Sequence, residues 1–182
     1  PDSFTINSFA DDLAAWLDHL HIGNAVVGGI SMGAAVALNF AVRRPQRTVA
    51  LVLVRPAWAT EPNPPNLQIL ATVGNLIQAH GVKRGKQIFH QSERYRNTAN
   101  ACPDCAQSLL RQFDEPRAAD AVVRLLHIPA STPVEDPAAL ATISTPTLVP
   151  ASRQDTIHPY EMGRTLAEQI PTARLIELTP KS

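Results

Sequence analysis

Residues 25–54 constrain the fold more than any other part of the chain. The stretch "AVVGGISMGAAVALNFAVRRPQRTVALVLV" starts apolar, passes two glycines and a serine, and continues into small apolar residues. Positions 25–29 read as a short strand buried on both faces. Positions 32–43 read as a helix that stops before Pro45. Positions 49–54, β-branched and continuous, read as a second buried strand. A strand, a crossover helix and a strand in succession imply a parallel sheet. The nearly uncharged run 25–42 reaches the lower edge of a membrane span. However, Gly28, Gly29, Ser31, Gly33 and Asn39 interrupt it, so a strand-turn-helix is expected there rather than a membrane helix.

The flanking sequence extends this rhythm on one side and breaks it on the other. Ser8, followed by Asp11 three residues on, reads as a helix start. Phe9, Leu13, Trp16, Leu17 and Leu20 give that helix an apolar face, and Gly23-Asn24 ends it. Beyond Val54 comes the proline-rich loop "RPAWATEPNPPN". Amphipathic helices are then expected over about 66–80, 83–97, 106–113 and 117–127. The strand pattern returns at 147–151, followed by the loop "SRQDTIHP", a helix opened by Pro159 and a last strand at 173–178. The expected fold is α/β: a mostly parallel sheet with helices on both faces, formed by 1–58 and 145–182. A helical cap, 59–144, is inserted into it.

Composition narrows the partners. Lys+Arg and Asp+Glu both number 16, for a formal net charge of zero. Nucleic acid or an anionic membrane would call for a basic excess, so neither is expected as a partner. No signal peptide is visible. A cytoplasmic location is expected, although the chain begins at Pro1 rather than Met. Cys102 and Cys105 form a lone C-x-x-C. Free or incidentally paired thiols are the leading reading, with a redox pair or half of a metal site as alternatives. No metal and no cofactor is expected.

Positions 29–33 read Gly-Ile-Ser-Met-Gly, the G-x-S-x-G pattern between a strand and a helix that a nucleophile elbow requires. Gly29 and Gly33 would make room for a tight turn. Ser31 would stand above the carboxyl edge of the sheet, where ligands bind in open α/β folds. The Met32 N–H, at the helix start, would face a developing oxyanion. "GGISMGAAVALNFAVRRPQRTVALVLVRPAW" resembles the core of the α/β-hydrolase fold superfamily, and "TPTLVPASRQDTIHP" resembles its later strand and acid-bearing loop.

The resemblance implies Ser31 as nucleophile, Asp155 as the triad acid and a small-molecule carbonyl substrate: an ester, a lactone or a related compound. Trp58 and His158 are expected to line its pocket. The resemblance also implies a histidine after the last strand and a second oxyanion donor on a loop before residue 1. No histidine follows His158 in this chain, and His158 itself is expected to cap a helix or line the cleft. The expectation is therefore a fragment of a serine hydrolase, inactive by itself. A non-catalytic ligand-binding pseudo-enzyme, or an acyltransferase or lyase on the same fold, is the alternative. Within the matched part, Pro150 lies in a predicted strand, where it removes a ladder donor.

Overall fold

The computed structural model describes residues 4–179. Four strands, β1 (Ala25–Ile30), β2 (Thr48–Val54), β3 (Thr147–Ser152) and β4 (Ala173–Leu178), form one sheet in that order. Every neighbouring pair is parallel, so all four carboxyl ends reach the same edge. β1 and β2 pair over their whole length, from Ala25↔Thr48 to Ile30↔Val54. β3 pairs with β4 over six positions but with β2 only at Leu51↔Thr147 and Val52↔Leu148. Pro150, which has no N–H, lies beyond the point where that β2 pairing has lapsed. Its carbonyl instead accepts from the Arg55 N–H at 2.7 Å, which ties the exit of β2 to the exit of β3.

α1 (Ile6–His19), α2 (Met32–Arg43) and α7 (Tyr160–Gln169) cover the sheet residues Val27, Leu51, Leu53 and Val149. Their own contribution to that core comes from Ala10, Ala14, Leu38, Phe40, Leu166 and Ile170. On the opposite face of the sheet Val26, Ile30, Leu148 and Ile176 are exposed. α1 begins earlier than the Ser8–Asp11 spacing suggests. Its N-cap is Thr5, whose side chain accepts from the Ser8 N–H, while the Ser8 side chain bonds back to Thr5. Serine thus fills the place usually taken by Glu or Gln in a capping box, which is why the sequence pattern pointed three residues too late.

Between β2 and β3 lie α3 (Gln68–Gln91), α4 (Glu93–Ala101), α5 (Pro103–Asp114) and α6 (Ala118–His127). Gly81, at φ 71° and ψ 168°, divides α3 into two helical arms, as expected for separate helices on either side of it, but the second arm stops at Gln91 rather than running on to 97. Ser92 is extended and ends it, and its hydroxyl caps α4 by accepting from the Tyr95 N–H. Phe89, Leu109, Phe113, Val122 and Leu125 build a second core, to which Ile6 and Ala35 also belong. The helical layer is therefore packed onto the first turn of α1 and the start of α2, over the carboxyl edge of the sheet. The Cys102 and Cys105 sulfurs form a disulfide at the start of α5, which sets aside the free-thiol reading and is compatible with an incidental or a redox pair. Among the described residues no cluster of side chains could hold a metal ion. No helix among the described residues is long and apolar enough to cross a membrane.

Candidate active site

β1 ends at Ile30 and α2 begins at Met32, so one residue turns the chain. Ser31 does so at φ 57° and ψ −116°, a region that a residue with a Cβ occupies only when its surroundings hold it there. Here its N–H donates to the Val54 carbonyl at 3.0 Å, and its own carbonyl accepts from the N–H groups of Ala34 and Ala35. The turn is tight at one point. A Cβ on Gly29 would lie 2.3 Å from the Gly33 carbonyl carbon, whereas a Cβ on Gly33 would meet nothing within 4 Å. The crowding expected at both glycines is therefore a single contact, from position 29 onto the backbone at 33. Met32 opens α2, where an N–H has no intrahelical acceptor and the helix dipole is positive.

The second loop follows β3. Asp155 is buried, and its Oδ1 accepts from the N–H groups of Ile157 at 3.0 Å and His158 at 2.9 Å. A carboxylate that bonds its own backbone two and three residues on folds the loop back over itself. That fold brings the His158 ring to the same carboxylate, with Nδ1 2.9 Å from Oδ2 and 3.0 Å from Oδ1. The other ring nitrogen, Nε2, lies 2.8 Å from Ser31 Oγ. Burial pushes the Asp155 carboxyl up. The hydrogen bond and charge of His158 and the two backbone N–H groups outweigh it and hold the carboxyl below the ordinary aspartate value. An ionised carboxylate only accepts, so Nδ1 is the donor to it, and in the neutral ring Nε2 can accept the Ser31 O–H.

Ser31, Asp155 and His158 thus meet at the carboxyl edge of the sheet. His158 does not cap α7; the N-cap there is Pro159, without a side-chain bond. Ser31, Met32, Trp58 and His158 line a cavity of about 160 Å³ between the sheet edge and the helical layer. Trp58 is buried, and its Nε1–H donates to the Ser131 carbonyl at 2.8 Å. His90 is apart from the site, its ring tilted by 52° against that of Tyr95 with centroids 4.7 Å apart. Four further neighbours are not assigned to the site by the sequence. Cys105 Sγ lies 3.4 Å from Asp155 Oδ1, so the disulfide forms part of the wall around the acid. From the helical layer Ser108, Gln112 and Arg124 reach the cavity. They lie on α5 and α6, amphipathic helices whose periodicity marks only the apolar positions.

A family model described as the alpha/beta hydrolase fold matches residues 1–180. Among curated proteins, the chain is 29% identical over 182 residues to "Putative carbamate hydrolase RutD" of Pseudomonas savastanoi pv. phaseolicola, covering 98% of this chain and 68% of that protein. Among solved structures, MGS-M2, an alpha/beta hydrolase enzyme from a Medee basin deep-sea metagenome library, superposes with a TM-score of 0.74 at 25% identity, over 98% of this chain and 65% of that one. A thermophilic esterase from Thermogutta terrifontis superposes with a TM-score of 0.71 at 23% identity, over 99% and 65% of the two chains. The chain thus spans just under two thirds of these solved relatives. With the parallel sheet, the strand-to-helix turn at Ser31 and the match over nearly its whole length, the chain belongs to the α/β-hydrolase fold family.

Proposed function

We propose that the chain carries the chemistry of a serine hydrolase acting on a small ester, lactone or related carbonyl compound, with His158 as the base. The observation that carries this reading is the continuous hydrogen-bonded path from Asp155 through His158 to Ser31, with its 2.9 Å and 2.8 Å steps. Names of similar proteins support the reaction class: an esterase, an enol-lactonase and a carbamate hydrolase.

The steps follow from the tautomer. His158 Nε2 takes the Ser31 proton as Oγ adds to the carbonyl carbon. The Met32 N–H donates to the oxyanion. The imidazolium, stabilised by Asp155, protonates the leaving oxygen or nitrogen as its bond to the acyl carbon breaks. Water then repeats the sequence on the acyl-serine, giving up its proton to His158, and the acid leaves with Ser31 restored.

The reading departs from the sequence expectation, which placed the base after the last strand and so expected little hydrolysis from this chain. Labelling with a fluorophosphonate tests it. We expect the chain to be labelled at Ser31, Ser31→Ala to abolish labelling, and His158→Gln to slow it by about 10²–10⁴-fold, the usual range for a positioned base. If His158→Gln labels at the wild-type rate, the base is another group. If the chain is not labelled at all, the non-catalytic ligand-binding alternative replaces the hydrolase reading.

A further inference from the structure

The cavity is apolar on most of its wall, with Leu67, Leu70, Leu109, Leu125 and Ile128 among its lining, yet it includes one cation. Arg124, on α6, donates through Nη2 to Gln112 Oε1 on α5 at 2.7 Å. Its Nε is buried and has no acceptor. Among the described residues no carboxylate pairs with the guanidinium. Glu115 and Asp120 border a separate outer crevice that Arg124 also reaches, and neither is bonded to it. On this half-buried guanidinium Gln112 satisfies one N–H, while the buried Nε–H has lost its water and gained no acceptor, and no carboxylate balances the charge. Its planar fork matches a carboxylate.

We propose that Arg124 is a specificity-determining residue that binds a carboxylate on the acyl part of the substrate. Gln112 holds the guanidinium in place, and Ser108, on the same wall, offers a further hydroxyl. The polar groups then lie in two sets. Ser31 and His158 belong to the sheet edge, where the reacting carbonyl sits. Ser108, Gln112 and Arg124 belong to the helical layer, where the charged end of the acyl group sits. The volume limits what lies between them. An engineered cavity of about 150 Å³ takes one benzene ring, so the acyl group is short. The preferred class is an ester or lactone whose released acid is a short dicarboxylic acid. This inference deepens the hydrolase reading and rests on it for the reaction, but not for the anion site.

Two measurements separate the two claims. The first compares hydrolysis of an aryl ester of glutaric acid with one free carboxylate against the aryl ester of pentanoic acid. We expect kcat/KM to favour the anionic ester by ten-fold or more, chiefly through KM. Arg124→Met should lower kcat/KM for the anionic ester by about ten-fold more than for the neutral ester, and Arg124→Lys should restore part of the preference. The second measures binding of monomethyl glutarate to the Ser31→Ala chain by calorimetry. We expect binding that weakens with salt and is lost on adding Arg124→Met. Ser31-dependent hydrolysis of both esters with no preference, or with an equal loss for both in Arg124→Met, overturns the anion site and leaves the hydrolase reading intact. Arg124-dependent binding without hydrolysis by the wild-type chain upholds the anion site and overturns the hydrolase reading.

Discussion

The sheet layer and the helical layer are both well packed, but they are specified by different physics. In the sheet layer the site is set by backbone geometry. Ser31 sits at a positive φ, Gly29 cannot carry a side chain, and Asp155 folds its own loop through two backbone N–H groups. In the helical layer the site is set by which faces of ordinary helices meet: α5 and α6 bring Gln112 and Arg124 together by packing alone. On the proposed reading the chemistry lies on the rigid edge and selection on the overlying helices, a division that lets one vary without the other.

The largest expected effect within the sheet layer is at the two elbow glycines, which the G-x-S-x-G pattern treats alike. Gly29→Ala puts a methyl 2.3 Å from backbone that cannot swing aside, at a cost of about 3 kcal/mol or more. Gly33→Ala adds a methyl in open space within a helix, where replacing glycine stabilises by about 0.4–1 kcal/mol. Urea unfolding of the two variants should therefore move the midpoint in opposite directions. Equal losses would mean that the turn is tight at both positions and that the geometry described at Gly33 is wrong.

Legibility in the sequence follows the same division. The strand-turn-helix around Ser31 was readable because glycine placement and strand period are local signals. Asp155 came only through the family resemblance, whose motif order places the acid after Ser31. His158 was visible but its role was not, because an i, i+3 approach to Asp155 depends on the loop turning back, and no residue pattern announces that. The start of α1 was misread because Ser8 stands in for the expected Glu or Gln. Arg124 and Cys105 were illegible, since each matters only through a residue 50 to 93 positions away that tertiary packing brings close.

A smaller effect comes from acid. The Asp155 carboxyl titrates below its ordinary value of 3.8, so it binds its proton less readily in the folded state than in the unfolded one. Its contribution to stability is then fully present above that value and is lost as pH falls through the folded one. Thermal unfolding from pH 6 downward should show stability falling below about pH 4. Asp155→Asn should flatten that fall. Some slope should persist from Asp11, held down first by its bond to Arg44, and from Glu177, held down first by Arg153. An unchanged slope in Asp155→Asn would mean that the carboxylate gains nothing from its four contacts.

The smallest effect asks whether the two layers unfold together. Thr5 caps α1 in the sheet layer, and Ser92 caps α4 in the helical layer, each hydroxyl accepting an N–H from three residues on. Removing either to alanine should cost about 1 kcal/mol, or about 2–4 °C for a chain of this size. The layers are joined by more than loop connections. The Ile6 N–H donates to Ser131 Oγ at 2.8 Å, and Asn39 Nδ2 donates to the Pro133 carbonyl at 2.8 Å. Asn66 Nδ2 bridges the carbonyls of Ala57 and Ile157. Ile6 and Ala35 also sit within the helical layer's core. One cooperative transition is therefore expected, shifted equally by Thr5→Ala and Ser92→Ala and followed alike by far-ultraviolet circular dichroism and by Trp58 fluorescence in a Trp16→Phe background. If Ser92→Ala instead splits off an earlier transition, the helical layer opens independently. The cavity wall carrying Arg124 would then detach from Ser31 at a cost well below that of global unfolding.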